Sequence, residues 1–227
     1  DVIYAPGGSS DQCLTPFAPG SFDGEIVICQ RGVIARVAKS FNVAAGGAGG
    51  LLLYNPTQQG LSTDNHFIPS VHLENDSGAA LVSFMDGHAA VTGTFTQGTA
   101  TAVQGDVMAP FSSRGGPGQV LGISKPDVTA PGVQILAGHT PLPEDQDGGL
   151  PGQLFQAIQG TSMSAPHSTG AAALVKAAHP DWGPAEIKSA LMMTALTDGV
   201  VKEDGTTAAD PFDYGSGRIL PDAAADA

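Results

Sequence analysis

Cations and aromatics are scarce in this 227-residue chain. Nine Lys and Arg face 22 Asp and Glu, a formal net charge of −13. The deficit runs through both halves, with 3 basic against 8 acidic residues in 1–105 and 6 against 14 afterwards. Such a surface repels a phosphate backbone, which argues against nucleic acid as a partner. Aromatics make up 6% of the residues, so the core must be built from Ala, Val, Leu and Ile. There are only two cysteines, Cys13 and Cys29, and no Cys-x-x-Cys, so zinc and thioredoxin chemistry lack support. The pair suggests one disulfide, worth roughly 3 kcal/mol for a short closed loop; two buried free thiols are the alternative. No run approaches the ~18 apolar residues of a membrane span. No signal peptide is visible at Asp1, and the apolar Val2-Ile3-Tyr4 opens the chain in the manner of a domain interior.

What is plentiful is Gly (31) and Pro (17), without a repeat period, which implies many tight turns. The apolar run 25–29 reads as a buried strand. Val33, Ile34, Val37, Phe41 and Val43 have helical spacing, ended by Gly46-Gly47. Residues 51–54 read as a second buried strand and 67–71 as a third. Asp76-Ser77 is expected to cap a short helix, and the alternation in 91–96 suggests an edge strand. The small, polar stretch 98–105 marks a domain boundary, giving domains 1–105 and 106–227. In the second domain a strand is expected after Pro131-Gly132, and 138–153 reads as an exposed acidic loop. From Ser164 to Ala178 runs a helix of small and apolar residues, which belongs inside a domain, with Pro166 in its first turn. Another helix starts at Pro184, with Ile187, Ala190, Leu191 and Thr194 on one face.

The segment that carries chemistry is Gly160-Thr161-Ser162-Met163-Ser164-Ala165-Pro166-His167. A serine hydroxyl is a weak nucleophile unless it is activated. At a helix start, unpaired backbone amides and the helix dipole can stabilise an oxyanion. Gly160 lets a substrate backbone approach. A serine at a helix start is also an ordinary N-cap.

The whole segment closely resembles the nucleophile motif of the subtilisin-like serine proteases, the subtilases. Further blocks follow in the family's order: Phe111-Ser112-Ser113-Arg114-Gly115, then Lys125-Pro126-Asp127-Val128-Thr129-Ala130-Pro131-Gly132, then His179-Pro180-Asp181-Trp182, and finally Phe212-Asp213-Tyr214-Gly215-Ser216-Gly217. Gly116 is extra before Pro117, and Ser168-Thr169 replaces a commoner pair. Residues 1–105 resemble the protease-associated (PA) domain inserted in many subtilases, through Cys13, the Phe22–Gly32 block (22–32), the 46–54 block and Ile68-Pro69, with Glu25 where the family has Lys. The resemblance implies an α/β protein: a PA domain, a β-rich open barrel with short flanking helices, followed by the C-terminal part of a subtilisin-like parallel-sheet domain. It implies a secreted serine endopeptidase with Ser162 as nucleophile and Cys13 paired to Cys29.

A serine triad also needs a histidine base and an oriented carboxylate. In subtilases both precede the serine, and this chain is expected to start after them, as it does after the oxyanion asparagine. Asp76-Ser77-Gly78 and His88-Ala89-Ala90 imitate the two motifs but fail on context, since Asp76 follows Glu74-Asn75 and His88 follows Asp86-Gly87. Ala45-Gly46-Gly47 is not the asparagine segment. His167 is a fixture of the buried helix under the resemblance, and five-residue helical spacing turns it away from Ser162. His66, His72, His139 and His179 lack metal-ligand spacing. No cofactor is expected. Asp145-Gln146-Asp147-Gly148 offers calcium-type oxygens but lacks the rest of a binding loop, and a solvated loop is the competing reading. The expected partners are protein or peptide substrates. The isolated chain is expected to be inactive; a rival function is a non-catalytic peptide-binding or self-association module through the PA domain.

Overall fold

Apolar runs without polar alternation need cover on both faces. In the computed structural model, which describes residues 1–116 and 122–227, these runs are the two central strands of a parallel sheet. Pro117 lies outside the described residues. The order is β1 (Val2–Tyr4), β2 (Ile26–Gln30), β3 (Gly50–Tyr54), β4 (Ser70–Leu73), every pair parallel. Helix α1 (Arg36–Ala45) joins β2 to β3, and α2 (Asn75–Asp86) follows β4.

The period of two along a strand sorts the core into two layers. Val27, Cys29, Leu51 and Leu53 pack with Val43, Phe22 and Ala5. Ile28 and Tyr54 pack with Val2 and Met85 of α2, beside Ile26, Leu52 and Leu81. Val27, Ile28, Leu51 and Leu53 are each at most 1% exposed, and full burial of such a side chain is worth about 1.5–3 kcal/mol. Cys13 and Cys29 are joined in a disulfide. Gly47 ends α1 at φ +100, where a Cβ would meet the Phe22 carbonyl oxygen at 2.5 Å.

The chain forms two units. The first comprises Asp1–Ala100 and Leu136–Ile158, the second Thr101–Ile135 and Gln159–Ala227. Residues 136–158 are tied to the first unit. They carry a two-stranded sheet, β5 (Ile135–Gly138, its first residue counted in the second unit) with β6 (Phe155–Ile158), and a 3-10 turn (Gln146–Gly148) that packs on α1. The Phe155 carbonyl accepts from Asn65 Nδ2 at 3.0 Å.

The second unit holds α3 (Thr161–Ala178), α4 (Pro184–Met193), α5 (Pro211–Tyr214) and α6 (Pro221–Ala225). Its extended segments meet as isolated bridges: Val107 with Val201, and Thr129 and Leu196 with Arg218. Ala171 and Val175 of α3 pack on Ala190, Leu191, Ile219 and Ala224.

Four expectations need correction. Glu74, not Asp76, caps α2, because its carboxylate accepts the Asn75 amide and Asp76 falls in the first turn. Residues 91–96 form no strand; Val91 only accepts the Val2 amide at 2.8 Å. Helix α3 begins at Thr161, three residues early, so Pro166 lies inside it and cannot donate to the Ser162 carbonyl. Nor is α3 buried all round. Ala171 and Val175 are its buried residues, while Leu174 is 60% exposed. An apolar surface is buried only where neighbours reach it, and α4 and α6 cover a single stripe.

Candidate active site

The site is assembled from the start of α3 and the segment around Pro131. The Gly160 amide donates to the Gly132 carbonyl at 2.8 Å, and Ser164 Oγ donates to the Ala130 carbonyl at 2.9 Å. A Cβ at Gly132 would lie 2.9 Å from the Gly160 oxygen and 3.3 Å from Ser164 Cβ. Ala130-Pro131-Gly132 and Gly160-Thr161-Ser162 are therefore clasped at a distance that only glycine permits. This clasp sets where the helix begins. Sequence reasoning missed Ser164 as an anchor; the signal was a second hydroxyl two residues after Ser162, one polar side chain more than a cap needs.

Ser162 lies in the first turn of α3, exposed, and among the described residues its hydroxyl makes no hydrogen bond. The amides of Thr161 and Ser162 fall before the first helical acceptor. They present donors and the positive end of an 18-residue helix at the same point. A pocket of about 570 Å³ opens beside this turn, lined by Gly160, Thr161 and Ser164 and walled by Met108, Phe111 and Val133.

That wall is held by ion pairs. Arg114 Nε lies 2.7 Å from Asp213 Oδ1. Its other nitrogens donate to Glu203 at 2.8 Å and to the Ser112 carbonyl at 2.8 Å. Asp213 also meets Lys202 at 3.1 Å and accepts the Asp210 amide at 2.8 Å. Although burial works in the other direction, the Asp210 amide, Lys202 and Arg114 hold its carboxyl below the ordinary range.

The histidines are engaged elsewhere. His167 is exposed and its Nδ1 turns back to the Met163 carbonyl at 2.8 Å. His88 bonds the Phe84 carbonyl and stacks on that ring. His179 stacks on Trp182 and bonds the Ala225 carbonyl, and His139 meets the Gly148 carbonyl. Asp145 accepts the Asp147 amide and caps its own 3-10 turn. Among the described residues no group of three or more His, Cys, Asp or Glu could hold a metal, and no helix is long and apolar enough to cross a membrane.

The sequence pattern of the subtilase family, peptidase S8, matches residues 35–217. The chain belongs to the subtilase family. It is similar to the subtilisin-like proteases SBT5.4 (38% identical over 99% of this chain), SBT1.6 (40% over 96%) and SBT1.3 (40% over 97%) of Arabidopsis thaliana. It spans 29%, 30% and 30% of the length of these three relatives. This subtilase segment is mixed α/β with a parallel sheet; that sheet lies within residues 2–73, whereas the resemblance implies a parallel sheet in 106–227.

Proposed function

We propose that the chain is the part of a secreted subtilisin-like serine endopeptidase that runs from a PA domain, residues 1–105, into the serine-bearing part of the peptidase domain, residues 106–227, and that Ser162 is its nucleophile. The observation that carries this is the placement of Ser162: exposed, unengaged, in the first turn of a helix clasped by Ala130 and Gly132, inside the family's motif. Two helices beside the sheet of the first unit suit the PA reading; closure of that domain into an open barrel rests on the resemblance alone.

In this reading Ser162 Oγ attacks the carbonyl carbon of a peptide bond while a histidine takes its proton. The tetrahedral oxyanion sits against the first-turn amides of α3. Collapse expels the amine, which receives the proton, and leaves an acyl-enzyme on Ser162 that water hydrolyses. The histidine, its carboxylate and the oxyanion asparagine belong, in this proposal, to the part of the relatives that this chain does not cover. The isolated chain is then inactive, since a serine without a base retains little nucleophilicity. A fluorophosphonate probe tests both halves of the proposal. Ser162 should stay unlabelled in the isolated chain and be labelled in the longer parent protein. Rapid stoichiometric labelling of the isolated chain would overturn the claim of inactivity, and labelling of the parent elsewhere would overturn the nucleophile.

A further inference from the structure

The carboxyl ends of β2, β3 and β4 carry a polar cluster that peptide hydrolysis at Ser162 does not use. Arg31 follows β2, Asn55 follows β3, His72 lies in β4 and Glu74 caps α2. Residues 56–63 run over this cluster and bond to it through Gln59, Gly60 and Ser62. The Gln59 amide donates to Glu74 Oε1 at 2.9 Å. The Gly60 carbonyl accepts from Asn55 Nδ2 at 3.2 Å and from Arg31 at 3.4 Å. The Ser62 amide donates to His72 Nδ1 at 3.2 Å.

The Ser62 bond determines the state of the ring. A backbone amide can only donate, so Nδ1 carries no proton. The proton of the neutral ring is therefore on Nε2, which donates to Asn55 Oδ1 at 2.7 Å. Asn55 is fully buried and spent: its Oδ1 also accepts from Arg31 at 3.2 Å, and its Nδ2 donates to Gly60 and to Glu74. Only the neutral Nε2–H tautomer satisfies every partner. A second ring proton on Nδ1 would point at the Ser62 N–H, leaving two donors face to face in a half-buried site.

We propose that His72 is an acid-sensitive latch, which holds residues 56–63 over the carboxyl end of the parallel sheet and releases them when its ring takes a second proton. That end of a parallel sheet is where α/β folds bind ligands, so release uncovers Arg31, Asn55 and Glu74. The surrounding charges agree. Burial, then the Arg31 guanidinium from the end of β2 and Arg36 from α1, hold the ring's pKa down at about 4, against the Asp64 carboxylate; the Ser62 N–H, donated to the unprotonated Nδ1, favours the neutral ring as well. Asp64 is already committed to Arg36, with contacts of 2.6 and 2.9 Å, and His66 stands 4.0 Å from it. From α2, Glu74 faces the same loop; although burial works in the other direction, amide donors led by Gln59 hold its carboxyl below the ordinary range. A histidine whose folded pKa is depressed contributes stability above its unfolded value of about 6.5, and loses it as pH falls towards about 4.

The test is a pH titration of the whole chain by ¹H–¹⁵N NMR from neutral pH to about 3.5. It follows the Gln59, Gly60 and Ser62 amides together with the His72 ring nitrogens. The expected result is one shared midpoint for the ring and the three amides. His72→Gln keeps an acceptor and a donor but no titrating group, and should abolish that transition. Glu74→Gln keeps the acceptor oxygen and should leave it in place. Loop amides that titrate in His72→Gln as in the wild type would overturn the latch, as would a ring that protonates while the amides stay still. Should His72→Gln not fold, the wild type and Glu74→Gln still decide the matter through the shared or separate midpoints.

Discussion

At the scale of single residues, the least expected group is Lys39. It is fully buried on α1 with its ammonium on the Gln12 carbonyl, beside Asn42, whose Nδ2 donates to the Cys13 carbonyl at 2.8 Å. Together they pin the strand of chain that enters the disulfide. Burial pulls the Lys39 pKa down from 10.5 to about 8, partly offset by Asp11. Above about pH 8 the unfolded chain therefore binds a proton that the native state has released, so this group makes stability rise with pH. Urea unfolding between about pH 8 and 9.5, below tyrosine ionisation, should show that slope, and Lys39→Met should flatten it. Asp213 works in the opposite corner of the chemistry. It is 3% exposed and paired with Arg114 and Lys202. Asp213→Asn leaves those two cations without their carboxylate and should cost about 3 kcal/mol, measured by chemical unfolding. The wild-type contribution is present at neutral pH and is lost as pH falls through the depressed carboxyl pKa. Gly217 sits at φ +130 with the Leu196 carbonyl oxygen 2.5 Å from where a Cβ would be. Gly217→Ala should destabilise the second unit by about 1–3 kcal/mol, read from the same unfolding curves.

Elements differ in how fully they are enclosed. Strands β2 and β3 are covered on both faces, with Val27, Leu51 and Leu53 at 0% exposure on one and Ile28 at 1% and Tyr54 at 8% on the other. Helix α3 is covered along one stripe only. Amide exchange should accordingly be slowest in β2 and β3 and faster in α3, because protection follows buried apolar contact more than hydrogen bonding alone. Equal protection, measured by hydrogen–deuterium exchange with peptide mass spectrometry, would contradict this. The disulfide ties the segment between β1 and β2 to Cys29 near the end of β2, across 16 residues of sequence. Its reduction should lower the stability of the first unit by roughly 3 kcal/mol, the chain-entropy value for such a loop.

At the scale of the whole molecule, family membership and the candidate nucleophile were legible early. The subtilase blocks are runs of special backbone positions and clasped glycines, and such residues are conspicuous in any sequence. Buried strands 26–30 and 50–54 were legible for a different reason: continuous apolar runs bounded by glycine and proline have few other uses. The start of α3 was not legible, because it depends on Gly132 and Ala130, about 30 residues earlier, receiving the Gly160 amide and the Ser164 hydroxyl. The exposure of α3 was not legible either, since composition reports what a helix can bury and only its neighbours decide what it does bury. The same holds for His66 and His72, which lack metal-ligand spacing in the sequence. Strand register and a loop crossing bring His72 against Asn55 and Ser62. The amino-acid sequence by itself determined the family and the strands of the core and marked Ser162 as the candidate nucleophile, because each is a local signal of residue type and spacing. Tertiary structure alone decided the clasp beneath Ser162, the buried lysine and the histidine at the sheet's edge, because those are made by side chains and carbonyls far apart in the chain.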